Sequence, residues 1–300
     1  MVPAVSRTWS PSATTVCESV SVYLFVCVCI YIYMNDSLSL SYYLLRLIFY
    51  YFSLSRPHLF IIFAEYDYTG GKEHDPSHPR SSTDSSFVPD WWNNGATASQ
   101  GECAVPVYYR FNAPPNGNSI FWYSFVYGNI FVIQISSEHN FTAGSEQWVW
   151  LKNTLASVNR QVTPWLLVTL HRPIYSTQEC ETGDYVVSLH LRRELDPLFE
   201  AYKVDVVLVA HTHAYERTCP LLGGICVPDG QGVVHLTVGS AGAGLESCGY
   251  SPKYGNFSRA HINTFGYLRA ETSDQHIRLQ FILDLDGSVY DEYYVQRRKM

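Results

Sequence analysis

The sequence predicts an α/β sandwich, and three observations carry that prediction. Residues 204–209 (Val-Asp-Val-Val-Leu-Val) are an apolar, β-branched run of strand length, as expected of a strand buried on both faces, and His211 and His213 follow its C-terminal end. A second apolar run, residues 164–170, also ends in a histidine, His171, and Pro173 forbids the strand from continuing. Between them lies a segment whose apolar residues recur three and four apart, the period of a helix packed on a sheet. Two neighbouring parallel strands that each end in histidine would bring three nitrogen ligands to one sheet edge, where open α/β sheets bind ligands. If the backbone past residue 209 stays extended, His211 and His213 point the same way, which is metal-ligand geometry. An isolated His-x-His is more often a pair of exposed loop histidines, and the second histidine-tipped strand is what reverses that preference.

Composition narrows the field only a little. At 300 residues the chain holds one large or two ordinary domains, and 27 acidic against 20 basic residues argue against a nucleic-acid surface.

Residues 1–63 read differently from the remainder, and the chain divides there into 1–63 and a globular 64–300. The first segment has no glycine, the first being Gly70, and carries two apolar stretches, 20–34 and 38–54. Each is shorter than the ~20 residues a membrane-spanning helix needs, and Arg46 interrupts the second. A signal peptide fits no better, because Arg7 alone supplies a basic n-region and the apolar run begins late. The order Cys27-Val-Cys-Ile-Tyr-Ile-Tyr-Met34 alternates as translated TG and TA dinucleotide repeats would. Two readings stand: a membrane anchor through 20–54, or translated non-coding sequence.

Residues 72–118 are polar and rich in Pro, Ser, Asn and Gly, predicting surface loops around a short strand at 105–111. His74 and His78 lie in these loops with no strand end to aim them, and Trp91, Trp92, Tyr108 and Tyr109 read as packing residues. Residues 120–127 and 129–135 predict a hairpin turning at Gly128. His139 follows its second strand at the end where a site would form. Asn140-Phe-Thr and Asn256-Phe-Ser are glycosylation sequons, as is Asn35-Asp-Ser in the doubtful segment. Trp148, Leu151, Leu155 and Val158 then mark an amphipathic helix over 145–158, which completes a βαβ unit with the His171 strand.

Leu191, Leu195, Leu198, Phe199 and Tyr202 predict the second crossover helix over 186–203, with a kink or later start at Asp196-Pro197. His190, near its start, reads as a solvated helix histidine. Outside 1–63 there are five cysteines and no Cys-x-x-Cys pair, which excludes a zinc ribbon; Cys219 and Cys226 flank a turn that a disulfide could close. Residues 233–238 predict a strand. The Gly-Ser-Ala-Gly-Ala-Gly run after it lacks the lysine and helix of a P-loop and reads as a tight loop at the site's edge. Residues 277–285 and 288–295, joined at Asp286-Gly287, predict a closing hairpin.

The segments Leu-His171-Arg-Pro-Ile-Tyr-Ser-Thr and Ala-His211-Thr-His213-Ala-Tyr-Glu-Arg-Thr-Cys-Pro resemble the purple acid phosphatases, within the calcineurin-like metallophosphoesterases. That family usually has glycine where this sequence has Leu170 and Ala210, while the ligand histidines stand. The resemblance covers residue 65 to the end and implies a two-sheet metallophosphoesterase sandwich with its N-terminal βαβ half missing or replaced. It also implies a metal-dependent phosphomonoester hydrolase, secreted or extracytoplasmic, in which two metal ions polarise the phosphoryl group and supply the nucleophile for in-line attack. The first ion is iron and the second iron, zinc or manganese. Of the family's seven ligands this sequence matches His171, His211 and His213; the asparagine and histidine of the family's Gly-Asn-His-Glu motif align with Phe63 and Ala64. The Gly-Asp turns that carry the aspartates cannot occur before Gly70, and Gly183-Asp184 comes in the wrong order. Tyr215-Glu216-Arg217 completes the family motif and is expected to orient the histidine loop.

Impaired activity is therefore expected: three imidazoles alone hold a single zinc, or no ion. The alternatives are a non-catalytic pseudoenzyme and a membrane-anchored glycoprotein that keeps the fold. The phosphate-ester substrate must be drawn by local cations in an acidic chain, and nothing in the sequence distinguishes nucleotides, sugar phosphates or phosphoproteins.

Overall fold

The computed structural model describes residues 20–24, 112–118, 120–137, 139–179, 182–242 and 244–298. Expectations for His74, His78, the tryptophan and tyrosine pairs, the strand at 105–111, Phe63 and Ala64 fall outside the described residues.

A seven-stranded mixed sheet forms the middle layer, in the order β10-β6-β9-β5-β4-β3-β2. Its parallel centre is β3 (Ile130–Gln134), β4 (Trp165–Thr169), β5 (Val206–Val209) and β9 (Val234–Val238). Antiparallel β2 (Tyr123–Tyr127) closes one side, and β6 (Tyr215–Thr218) with β10 (Ser258–Ile262) the other. Two crossover helices, α1 (Glu146–Ser157) and α2 (Thr182–Ala201), connect β3 to β4 and β4 to β5. A four-stranded antiparallel sheet contains β1 (Val20–Leu24), β11 (Gly266–Thr272), β12 (His276–Leu283) and β13 (Val289–Gln296).

The all-apolar character of the central strands follows from this layering. Every residue of β4 and β5 is buried, and alternate residues serve opposite cores. Leu166, Val168, Val207 and Val209 pack in the core that contains Leu151 and Leu155 of α1 and Leu191, Leu195 and Phe199 of α2. Trp165, Leu167, Val206 and Leu208 pack in the other, with Leu268, Leu279 and Phe281 of the four-stranded sheet. Polar ties cross the same layer: the Trp165 indole donates to the Ser273 carbonyl at 2.6 Å, and Tyr215 stacks on Phe281 with ring centroids 4.1 Å apart. The two-sheet sandwich expected from the sequence is thus the observed architecture.

Local signals were obeyed with three corrections. Ser145 caps α1, accepting from the Trp148 amide at 3.2 Å, and the β2–β3 hairpin turns at Gly128, whose φ of 56° suits glycine. However, residues 120–122 precede β2 rather than extending it, although Ile120, Phe121 and Trp122 are buried. The second helix starts at Thr182, earlier than expected, and runs on through Pro197 instead of starting there. Buried Leu195, Leu198 and Phe199 on either side hold the turn against the sheet, so packing overrides the missing N–H. The third correction concerns the histidine loop and is given below.

Five residues of the first apolar stretch form β1, paired with Leu268–Thr272 of β11. Among the described residues no helix is long and apolar enough to cross a membrane. Cys219 and Cys226 form a disulfide with Cα atoms 5.6 Å apart, closing the short hairpin of β7 (Leu221–Leu222) and β8 (Ile225–Cys226). Cys248 is also disulfide-bonded.

Candidate functional site

β4 and β5 are adjacent and parallel, so the residues after them emerge at the same sheet edge. Their hydrogen-bond ladder continues one step past the strands: the Leu170 amide donates to Leu208 and the Ala210 amide donates to the His171 carbonyl at 2.9 Å. That last bond sets His171 beside the backbone that carries His211. The two rings meet edge to face with centroids 4.6 Å apart, and His211 Nδ1 lies 3.0 Å from His171 Nε2.

His211 does not continue the strand. Its φ of +49° places it in the left-handed region, and residues 211–214 form a turn before β6 begins at Tyr215. The extended backbone expected to aim His211 and His213 alike is therefore absent. A non-glycine residue in this region costs about 1–3 kcal/mol and persists only where its surroundings enforce it. Here the enforcement is close contact. The turn packs on the start of the glycine-rich loop, where a Cβ on Gly239 would lie 1.9 Å from the Thr212 carbonyl oxygen, and the Gly239 amide donates to Ala214 at 2.9 Å.

The hydrogen bonds fix which ring nitrogens carry protons. Arg172 has only donors, so its contact with His211 Nε2 at 3.1 Å makes that nitrogen an acceptor. The ring proton of His211 then sits on Nδ1 and is donated to His171 Nε2. His213 Nδ1 donates to the Gly244 carbonyl at 2.6 Å, which leaves its lone pair on Nε2.

Two imidazole nitrogens bound ~2.1 Å from one ion lie roughly 3.0–3.4 Å apart, so the 3.0 Å between His171 and His211 matches a shared cation in distance, and such a cation would require the His211 ring proton to move from Nδ1 to Nε2 and the Arg172 contact there to open. The fit is partial. His213 turns to Gly244 and does not join the contact, and among the described residues no group of three or more His, Cys, Asp or Glu side chains is gathered for a metal.

The motif after the histidines does more than the sequence disclosed. Buried Glu216 accepts from the Thr177 amide at 3.0 Å and from the Thr177 hydroxyl, joining the strand after one histidine loop to the segment after the other. Arg217 makes a two-pronged bond to Asp291 on β13, at 2.6 and 2.9 Å, and the Tyr215 hydroxyl donates to the same carboxylate at 2.7 Å. Those bonds hold the Asp291 carboxyl below its ordinary range against the opposing effect of burial. Glu216 thus orients the histidine loops, as expected of the motif, whereas Tyr215 and Arg217 clamp one sheet to the other.

The remaining histidines are elsewhere. His139 is buried with Nδ1 2.8 Å from the Ser136 hydroxyl, and its ring packs against Phe121 and Trp122. His190 lies 3.2 Å from Arg193 on its own helix and edge-on to Phe141; burial and then the Arg193 charge lower its pKa. Asn256 is exposed, while Asn140 is half-buried with its side-chain oxygen accepting from the Thr142 amide and hydroxyl at 3.0 and 2.7 Å.

With this edge described, relatives become informative. Residues 52–215 match the calcineurin-like phosphoesterases, and residues 232–292 match the iron/zinc purple acid phosphatase-like protein C family. The chain belongs to the purple acid phosphatases, within the calcineurin-like phosphoesterases. It is 33% identical to a protein of Arabidopsis thaliana named "Probable inactive purple acid phosphatase 24", over 69% of this chain and 36% of that protein. It is 32% identical to Fe(3+)-Zn(2+) purple acid phosphatase 12 of the same plant, over 67% and 44% respectively. Among solved structures, purple acid phosphatase PPD1 from yellow lupin (Lupinus luteus) seeds superposes with a TM-score of 0.65 at 26% identity, covering 81% of this chain and 41% of that one. The chain thus spans about 36% of the length of the first relative.

Sequence reasoning missed Asn263, the use of the Gly244 carbonyl and the Arg172–His211 contact. Asn263 sits in a turn, where asparagine is ordinary, and the other two depend on loops that meet only in the fold.

Proposed function

We propose that this chain carries the histidine side of a metal-dependent phosphomonoester hydrolase centre, with His171, His211 and His213 as its ligands. The observation that carries this is the His171–His211 contact at the ends of adjacent parallel strands, in a chain of purple acid phosphatase descent. His171 Nε2 and His211 Nδ1 would serve one ion once the His211 ring proton moves to Nε2 and Arg172 gives up its contact there, and Nε2 is the nitrogen that His213 keeps for ligation. Arg172, buried beside them, supplies the local positive charge that draws a phosphate ester to an acidic chain. An iron, zinc or manganese ion held there would act as a Lewis acid toward a phosphoryl oxygen.

Hydrolysis is proposed to be slow. Two-metal phosphoryl transfer uses ions ~3.5–4 Å apart, which needs carboxylates between them, and imidazoles alone do not bridge two cations. If each missing function contributes several kcal/mol, the deficit reaches many orders of magnitude at about 1.4 kcal/mol per tenfold. A non-catalytic role for the same fold is the second reading, supported by a relative whose name calls it inactive. The disulfide of Cys219 with Cys226 supports an oxidising, extracytoplasmic location, where the exposed sequon at Asn256 would be glycosylated.

The test is p-nitrophenyl phosphate hydrolysis by purified protein at mildly acidic pH, with iron, zinc and manganese supplied and bound metal quantified. Bound metal lost in His171→Ala and His211→Ala, with turnover far below that of an ordinary acid phosphatase, is the expected result. Turnover equal to such an enzyme, abolished by His211→Ala, overturns the slow reading, and metal content unaffected by either substitution overturns the ligand assignment.

A further inference from the structure

We propose that Asn263 is a positioning residue for His213, an inference that rests on His213 being a ligand. Asn263 lies in the turn between β10 and β11, outside every motif identified in the sequence. All of its side-chain capacity is used. Its oxygen accepts from the Tyr250 hydroxyl at 2.6 Å and from Gln178 Nε2 at 3.1 Å; its nitrogen donates to the carbonyls of Glu246 at 3.0 Å and Cys248 at 2.9 Å.

These four bonds gather three segments around the histidines. Gln178 follows the His171 loop, the Tyr250 hydroxyl oxygen also lies 3.2 Å from the Tyr215 carbonyl, and the Glu246 amide donates back to the His213 carbonyl at 3.2 Å. The Gln178–Tyr250 backbone bridge and the Glu179 amide's bond to Gly249 at 3.0 Å complete the attachment. Two residues before Glu246 stands Gly244, whose carbonyl takes the His213 Nδ1 proton. Asn263 therefore fixes the segment that fixes the tautomer of His213, and with it the nitrogen left open for a ligand. Ligating histidines are commonly set by a carbonyl on their other nitrogen, and loss of such support typically costs 10–100-fold in metal affinity.

Asparagine is required by this geometry. Aspartate at 263 would keep an acceptor for Tyr250 and Gln178 but would face the Glu246 and Cys248 carbonyls with oxygen instead of N–H.

The experiment reads the ring tautomers of His213 and His211 by long-range 15N–1H NMR in metal-free full-length protein, then titrates Zn²⁺. Wild type is expected to show His213 protonated at Nδ1. Asn263→Ala and Asn263→Asp are expected to give His213 a mixture of tautomers while His211 keeps its Nδ1 proton, and to weaken zinc binding 10–100-fold. Tyr250→Phe, which removes a single hydroxyl, should move His213 in the same direction by less, and it serves if the Asn263 variants do not fold. His213 unchanged in the folded variants overturns the proposal, as does a general loss in which His211 shifts equally. A shifted His213 tautomer with unaltered zinc affinity upholds the positioning role and overturns the ligand reading on which it was built.

Discussion

His235 should make this protein lose stability in the same mildly acidic range in which an acid phosphatase would be assayed. The residue is buried on β9, its ring lies edge-on to Tyr175 with centroids 4.7 Å apart, and Nδ1 has no hydrogen-bond partner among the described residues. The charge that acts on it is a cation, Arg192, whose guanidinium lies over the Tyr175 ring at 4.2 Å. Burial first, and the Arg192 charge second, push the imidazole down from 6.5 to about 3. The folded pKa is below the unfolded one, so unfolding takes up a proton in this window. The stabilisation is complete above about pH 6.5 and is lost as pH falls toward 3. At about 1.4 kcal/mol per pH unit, the drop from 6.5 to 5 amounts to ~2 kcal/mol from this one group. Urea unfolding of wild type and His235→Leu at pH 7.5, 6 and 5 isolates it, since every other titrating group is common to both. Wild type should lose ~2 kcal/mol more than the variant between pH 7.5 and 5. Parallel losses would refute the argument by showing that His235 charges without unfolding.

Three further outcomes follow from the site's framework. Gly239→Ala places a methyl 1.9 Å from the Thr212 carbonyl oxygen, backbone against backbone, so the turn between His211 and His213 must shift. A destabilisation of about 1–3 kcal/mol in denaturant unfolding is expected, together with weakened zinc binding by calorimetry. Glu216→Gln replaces an acceptor with an N–H facing the Thr177 donors, and a thermal melt should register a loss of about 1–3 kcal/mol. The Cys219→Ser, Cys226→Ser double variant opens a loop of sequence separation 7 and should lose ~2–3 kcal/mol in urea unfolding.

The parts of this protein legible in the sequence are those that depend on local pattern or on neighbours along the chain. The apolar runs of β4 and β5, the 3.6-residue period of α1 and α2 and the turns at Gly128 and Gly287 each state their structure in a few residues, because side-chain direction repeats with a fixed period in strand and helix. The two histidine-tipped strands foretold the meeting of His171 and His211, since adjacent parallel strands deliver their ends to one edge, but not that His213 would stand apart from it. Tertiary structure decided the rest. Pro197 is carried inside α2 because the apolar residues around it pack on the sheet. His211 adopts a positive φ because the turn must clear the backbone at Gly239, and His213 is turned by a carbonyl thirty-one residues away. Asn263 acquired its place only when three separate segments closed on it. Close packing and hydrogen bonds between distant segments have no period, so no stretch of sequence announces them.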